Sequence, residues 1–318
     1  MWAICQRVSR ALSSHTSAFI FAVAVFAWFV PGVFAWVRGS AQAMVLGAIM
    51  LAMGMTLTAD DWRVLARRPW DILVGACAQY GIMPLLAVLL VWGLDLPRGI
   101  AVGLILVGCC PGGVSSNIMS LLGRGDVAYS VGMTACTTLL APLATPLLML
   151  WLAGERVEIH AMGLFQSILC VTAAPIAVGT LLNHFWGQRA AYRRACSILP
   201  GVAVLALACI VGGVVSAQGT SFFTQGVLIF VGVLMHNGLG YLLGYFVAIC
   251  LRMAPPKRRT LSLEVGMQNA GLATVLATQH FRALPEAAVA SAISCAWHSL
   301  SGTILASWFR RRASSSRS

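Results

Sequence analysis

Two short polar clusters, each inside an otherwise apolar stretch, hold the residues best placed to do chemistry. One reads Gly108-Cys-Cys-Pro-Gly-Gly-Val-Ser-Ser-Asn117 and the other Leu263-Glu-Val-Gly-Met-Gln-Asn-Ala-Gly271. Each sets helix-breaking glycines beside hydroxyl, amide or carboxylate groups. Such a break frees backbone N–H and C=O groups that hydrocarbon cannot satisfy, so it persists only where protein, water or a ligand supplies partners. Half-helix N-termini attract anions, whereas carbonyls and half-helix C-termini attract cations. Glu264 adds to this signal. The other eight of the nine acidic residues fall in loops or at the ends of apolar stretches, and a carboxylate inside a membrane is costly and marks a functional site by default. The bland alternative is a shallow Glu264 paired with Arg259, five residues earlier. Its neighbours Ser116, Asn117, Gln268 and Asn269 make an oxygen-rich cage, which suits a hard alkali cation better than a soft metal.

The elements that must position these groups are membrane spans. Of 318 residues 59% are hydrophobic and 9% charged, against roughly 25% charged in a soluble domain. A spanning helix needs about 20 mostly apolar residues, and charge and Pro/Gly punctuation divide the chain into ten candidates. They run over 16–36, 41–58, 70–92, 98–122, 127–152, 162–186, 197–217, 222–251, 260–281 and 286–308. The first is too long for the apolar core of a signal peptide. Under this division Arg38, Arg98, Arg156 and Arg282 face one side of the membrane, and the other seventeen of the 21 basic residues face the opposite side. The positive-inside rule then puts both termini in the cytoplasm. The net charge of +12 is therefore a topology signal, and no nucleic-acid partner is needed to explain it; no obligate protein partner is inferred either. The ten cysteines contain no C-x-x-C pair, so they read as small buried apolar residues with no transition-metal or zinc site.

Ten spans divide into five and five, and an odd number per half makes any internal repeat inverted. The predicted fold class is an all-α membrane protein: residues 1–154 form a first five-helix repeat, 155–309 a second, inverted one, and 310–318 a disordered cytoplasmic tail. The two polar breaks fall in the fourth span of each half, the arrangement in which inverted-repeat transporters bind substrate. Among weaker signals, Gln79 lies in the third span, and Ser130 and Thr134 share one face of the fifth at i,i+4. His298 and His236-Asn237 could carry protons, and Gly240-x-x-x-Gly244 reads as a packing face. The loops are too short for an extramembrane catalytic domain, so the chain is not expected to be an enzyme.

Over essentially its whole length the chain resembles the bile acid:sodium symporter family. The motifs are C-P-G-G-V-S-S-N from Cys110 to Asn117, E-V-G-M-Q-N-A-G-L-A from Glu264 to Ala273, and W-H-S-L-S-G from Trp297 to Gly302. The resemblance implies ten helices in a panel and a core, with discontinuous spans four and nine crossing near two sodium ions. It implies a first sodium site from Ser116, Asn117, Ser130, Thr134 and Glu264. It implies a second from Gln79, Glu264 and Gln268 with backbone oxygens of Val265 and Met267. Substrate would meet Val114, Ser115, Asn269, His298 and Ser299. Bacterial relatives often carry threonine in place of Val114 and asparagine in place of Ser299, which bears on the identity of the substrate. The resemblance suggests a small organic anion such as pantoate or ketopantoate, or a bile-salt-like carboxylate.

Three other readings remain at this stage. A proton-coupled transporter or antiporter would use Glu264 and His298. An intramembrane enzyme would rest on Asp60-Asp61, which lacks a second acidic motif for metal-assisted chemistry. A receptor or scaffold would have no use for two matched helix breaks.

Overall fold

The computed structural model describes residues 2–58, 61, 63, 69–218 and 226–315. Asp60, the first residues of the eighth expected span (222–225) and the last three residues of the tail lie outside this set. The chain is all-α among the described residues. In order, the helices are α1 (Trp2–Ser14), α2 (Thr16–Phe29), α3 (Gly39–Thr56), α4 (Pro69–Gly93), α5 (Arg98–Cys109), α6 (Ser115–Leu122), α7 (Val127–Ala153) and α8 (Ala161–Ile168). There follow α9 (Ala174–Trp186), α10 (Ala190–Cys196), α11 (Leu199–Gln218), α12 (Gly226–Cys250), α13 (Pro255–Gly266), α14 (Ala270–His280) and α15 (Pro285–Ser315).

Seven of these helical stretches are long and apolar enough to cross a bilayer, and the bent pair α1–α2 makes an eighth if taken as one span. Their outward faces carry Leu89, Phe29 and Trp151 largely exposed to the surroundings, as lipid-facing side chains are. Trp70 and Trp92 sit at the two ends of α4, about 33 Å apart at 1.5 Å per residue, a spacing that places both at membrane interfaces. The same logic corrects the reading of the cysteines. Cys109, Cys110 and Cys295 are buried, but Cys77, Cys170 and Cys250 are exposed, because in hydrocarbon a small apolar side chain gains little from burial.

Several boundaries differ from the sequence reading for identifiable reasons. The N-terminal stretch is itself a helix, bent by 86° from the next. Its Ser9 is buried against α11, accepting from Gly201 N at 3.0 Å and donating to Ile198 O at 3.1 Å. The sixth span passes through a π turn at Leu169–Ala173, just before Pro175, whose missing N–H and ring disturb the regular ladder. The ninth begins at Pro255, five residues earlier than expected, because proline is at home in a first helical turn. At the C-terminus α15 continues to Ser315, so the expected disordered tail is helical as far as that residue. Arg312 lies over the Trp308 ring at 4.3 Å one turn below, and a cation there also suits the helix C-terminus.

Two sets of helices pack as units. In one, α2, α3, α9 and α11 lie against one another, with α1 on the start of α11. The other holds α4 to α7 together with α12 to α15. Within it, Gly244 brings α12 so near α13 that an added Cβ would lie 2.9 Å from Leu261 O, so the Gly240/Gly244 face is a packing face.

Candidate functional site

The breaks meet. At 12 residues, α5 is about 18 Å long, too short to cross about 30 Å of hydrocarbon. It stops at Cys109 because Pro111-Gly112-Gly113 follows, and α6 resumes at Ser115. The second break separates Gly266 from Ala270. Where the two cross, the chains pair as a short antiparallel bridge, with Gly113 N donating to Met267 O and Asn269 N to Pro111 O, both at 2.8 Å. Backbone groups that hydrocarbon could not satisfy thus satisfy each other. A Cβ on Gly113 would stand 2.8 Å from Gln268 O, so close an approach needs glycine. Asn237 completes the junction by donating from Nδ2 to Gly266 O at 2.7 Å.

Beside the crossing, Glu264 is wholly buried. Its Oε1 accepts from Ser116 Oγ at 2.5 Å and from Ser130 Oγ, and its Oε2 accepts from Thr134 Oγ1 at 2.8 Å. Asn117 Oδ1 lies 2.9 Å from Ser130 Oγ and 3.2 Å from Thr134 Oγ1, and Gly113 O lies 2.6 Å from Ser116 Oγ. A hydroxyl has one proton to give. Three hydroxyls therefore face more oxygen acceptors than they can satisfy, and the surplus lone pairs form a cage of the sort a cation fills. The shallow pair with Arg259 does not form; that guanidinium donates instead to Arg124 O at 2.9 Å.

All five residues expected at the first sodium site converge here, drawn from α6, α7 and α13. Of the second set, Gln79 Nε2 donates to Gln268 Oε1 at 2.6 Å, and Gln268 Nε2 donates to Val265 O at 3.0 Å. Gln79 Oε1 is buried with no partner among the described residues, which is the kind of orphaned oxygen a cation would take. Met267 O is already engaged by Gly113 N, and no hydrogen bond joins Glu264 to either glutamine. The second cluster is thus adjacent to the first and less completely assembled.

Against the crossing lies a cavity of about 300 Å³, whose wall includes Gly113, Gln268 and the cage residue Asn117. Val114, Ser115, Asn269, His298 and Ser299 all line it. The first turns of α6 and α14 both face it, and several of their leading N–H groups are already engaged locally, Ser116 N with Gly113 O at 2.9 Å, Asn117 N with Val114 O at 3.4 Å and Ala270 N with Gln268 O at 2.9 Å. Asn269 Oδ1 caps α14 by accepting from Leu272 N at 3.0 Å, while its Nδ2 is buried without a partner. His298 Nδ1 lies 3.4 Å from Gln268 O, and its Nε2 has no partner among the described residues. Among the described residues the cavity wall contains neither Lys nor Arg, and Asp61 is its one carboxylate. Ser120 and Asn237 also belong to this region and were missed, or given another role, by sequence reasoning. Asn237 sits in an apolar helix remote in sequence, and only the fold brings it to the break.

Comparison with known proteins bears on what such a site serves. Residues 43–225 match the model of the Sodium Bile acid symporter family. A sodium-dependent transporter of Bacillus subtilis (strain 168), YocS, is 43% identical over 309 residues, covering 97% of this chain and 95% of that protein. The chain belongs to the sodium bile acid symporter family. Other members similar to it include a probable sodium/metabolite cotransporter of the rice chloroplast (BASS1), 37% identical over 96% of this chain and 74% of its own length. The ileal sodium/bile acid cotransporter of Oryctolagus cuniculus is 30% identical over 77% of this chain and 71% of its own length. These relatives are named as sodium-dependent transporters or cotransporters, and the chain is a multi-pass membrane protein of that transporter family.

Proposed function

We propose that this family member is a sodium-coupled symporter that imports a small organic anion across the bacterial inner membrane by alternating access. The observation that carries the reading is the acceptor-rich cage around Glu264, set against a cavity equipped for the opposite charge. A cation in the cage would neutralise a carboxylate that has no cationic side chain beside it, and burying an unpaired charge costs several kcal/mol. Sodium and anion would be coupled through the crossing itself, because Gly113 and Gln268 touch the two oxygen clusters and also line the cavity. Two ions are proposed, one at each cluster. With a monovalent anion the cycle would carry net positive charge.

For the anion, the positive ends of two helix dipoles and the Asn269 amide would favour a carboxylate without any basic side chain. Ligand pockets run from roughly 300 to 1,000 Å³, and this one is at the lower limit, which favours a compact carboxylate such as pantoate or ketopantoate over a steroid. The valine at 114 and the apolar wall of Leu46, Ile49 and Met50 suit a branched aliphatic body. Taking α5–α6 and α13–α14 each as one broken span, and α1–α2 as one, gives ten spans in two inverted repeats. The two packing sets would then be panel and core. The cavity lies between them and reaches Ser13, Thr56 and Asp61, at the end that the arginine asymmetry assigns to the cytoplasm, which supports reading the conformation as inward-facing.

Proteoliposomes loaded without sodium should take up labelled pantoate when an inward sodium gradient is imposed, and uptake should rise with an inside-negative potential. Uptake unchanged when potassium replaces sodium would overturn sodium coupling. Flux driven by a pH gradient alone would favour the proton-coupled reading with Glu264 and His298.

A further inference from the structure

A second recess lies on the same seam between the two helix sets, at the opposite end of the molecule. It encloses about 220 Å³ and is lined by Arg38, Gln42, Gly213, Thr278, Phe281 and Arg282 among others. On α11 the cavity described above reaches Leu207 and the recess begins at Gly213. On α14 the corresponding limits are Gly271 and Ala277. Six residues of helix, about 9 Å, therefore separate the two spaces, and the plug between them is mostly apolar, with Ile210, Ala273 and Val275 in one buried cluster and Thr274 satisfied by donating to Ala270 O. The recess floor is tight, since a Cβ on Gly213 would lie 2.5 Å from Val37 O.

The arginines are the unexpected feature. Basic residues are depleted on the non-cytoplasmic side of membrane proteins, and only four fall there in this chain: Arg38, Arg98, Arg156 and Arg282. Two of those four, from positions far apart in sequence, line one recess. No carboxylate lines it, and no ion pair among the described residues involves either side chain. Thr278 Oγ1 donates to Gln42 Oε1 at 2.6 Å, which fixes the glutamine and leaves its amide N–H groups as further donors. A guanidinium fork binds carboxylates in a bidentate fashion, and like charges converging in a cleft raise the local concentration of an opposite charge.

We propose that Arg38 and Arg282, with Gln42, form an external capture site for carboxylates at the closed outer entrance of the transport pathway. The site concentrates the anion before the helix sets part, and the apolar plug keeps it from passing while the inner cavity is open. This proposal rests on the anion-import reading for its biological meaning and on the arginine asymmetry for its sidedness.

The first test needs no transport. Right-side-out membrane vesicles containing the full-length protein are treated with a membrane-impermeant phenylglyoxal, and modification of Arg38 and Arg282 is followed by mass spectrometry. Both should react from outside, and pantoate or acetate should slow the reaction where the neutral lactone of pantoate does not. Reaction from the inner side only, or a rate indifferent to both carboxylates, would overturn the proposal. Slowing by phosphatidylglycerol in the bilayer, with no further effect of free carboxylate, would assign the recess to a lipid headgroup and overturn it too. In a second arm, the double variant Arg38→Gln/Arg282→Gln should raise the external pantoate concentration for half-maximal uptake about tenfold, leave the maximal rate near wild type and lose sensitivity to added salt. Arg→Lys replacements should retain part of the effect, and an unchanged half-maximal concentration in the Gln variant would refute capture. Protection without sodium-driven uptake would leave the capture site standing and remove the symport reading; uptake without protection would do the reverse.

Discussion

Glu264 is held by three hydroxyls and by no cationic side chain, so its neighbours can orient the carboxylate but cannot neutralise it. That division of labour suits a residue whose partner must arrive and leave. Removing one hydroxyl takes one oxygen from the cage and one donor from the carboxylate. Ser130→Ala should therefore raise the sodium concentration for half-maximal transport about tenfold, the equivalent of about 1.4 kcal/mol, with the maximal rate less affected. Thr134→Ser, which keeps its hydroxyl, should stay close to wild type in the same sodium titration. Glu264→Gln should abolish sodium-dependent thermal stabilisation altogether, and normal stabilisation in that variant would place the cation elsewhere. The reach of sequence reasoning at this scale was uneven. Glu264 stood out because a carboxylate in an apolar stretch is rare. Its hydroxyl partners gave little signal of their own, since serines and threonines in membranes usually serve backbone carbonyls, as Thr138 does by donating to Thr134 O at 2.7 Å.

At the scale of elements, the decisive structure is the crossing of two broken helices, and glycine makes it possible. Gly113→Ala would drive a Cβ to 2.8 Å from the Gln268 carbonyl oxygen, against backbone that cannot swing aside. Overpacking of this kind costs about 1–3 kcal/mol. The variant should melt several degrees lower and lose the dependence of its stability on sodium, because the cage is fastened to the crossing. Gly81→Ala, where the added carbon meets nothing within 4 Å beyond its own stretch of helix, is the matched control and should melt at or slightly above the wild-type temperature. The breaks themselves were legible, since glycine and proline interrupt helices by backbone chemistry that any sequence displays. Their termini were less so. The start of α13 at Pro255 depends on how a charged first turn, with Lys257 paired to Asp71 of α4, meets the neighbouring helix end.

For the whole molecule, two spaces on one seam, separated by a single apolar plug, describe a pathway closed at one end. A cysteine in place of Ala203, on the wall of the inner cavity, should react with an impermeant maleimide applied from the cytoplasmic side. This requires a background in which the ten native cysteines are replaced. Sodium and pantoate together should slow the reaction several-fold, and reaction only from the outer side would reverse the assigned orientation of the cavity.

What the amino-acid sequence determined alone were properties that depend on composition and local chemistry. Apolar length sets the need for a bilayer, the arginine asymmetry favours one orientation, and helix-breaking residues beside polar groups mark where a ligand belongs. Only the tertiary structure decided which groups meet. It joined Asn237 to the Gly266 carbonyl, gave Glu264 its hydroxyls from two other helices, left Asn269 Nδ2 and Gln79 Oε1 unpartnered, and carried Arg38 and Arg282 into one recess. The physical reason is that local rules act over a few residues along the chain. A site made where helices cross depends on packing distances between segments that the sequence leaves more than a hundred residues apart, such as Ser116 and Glu264.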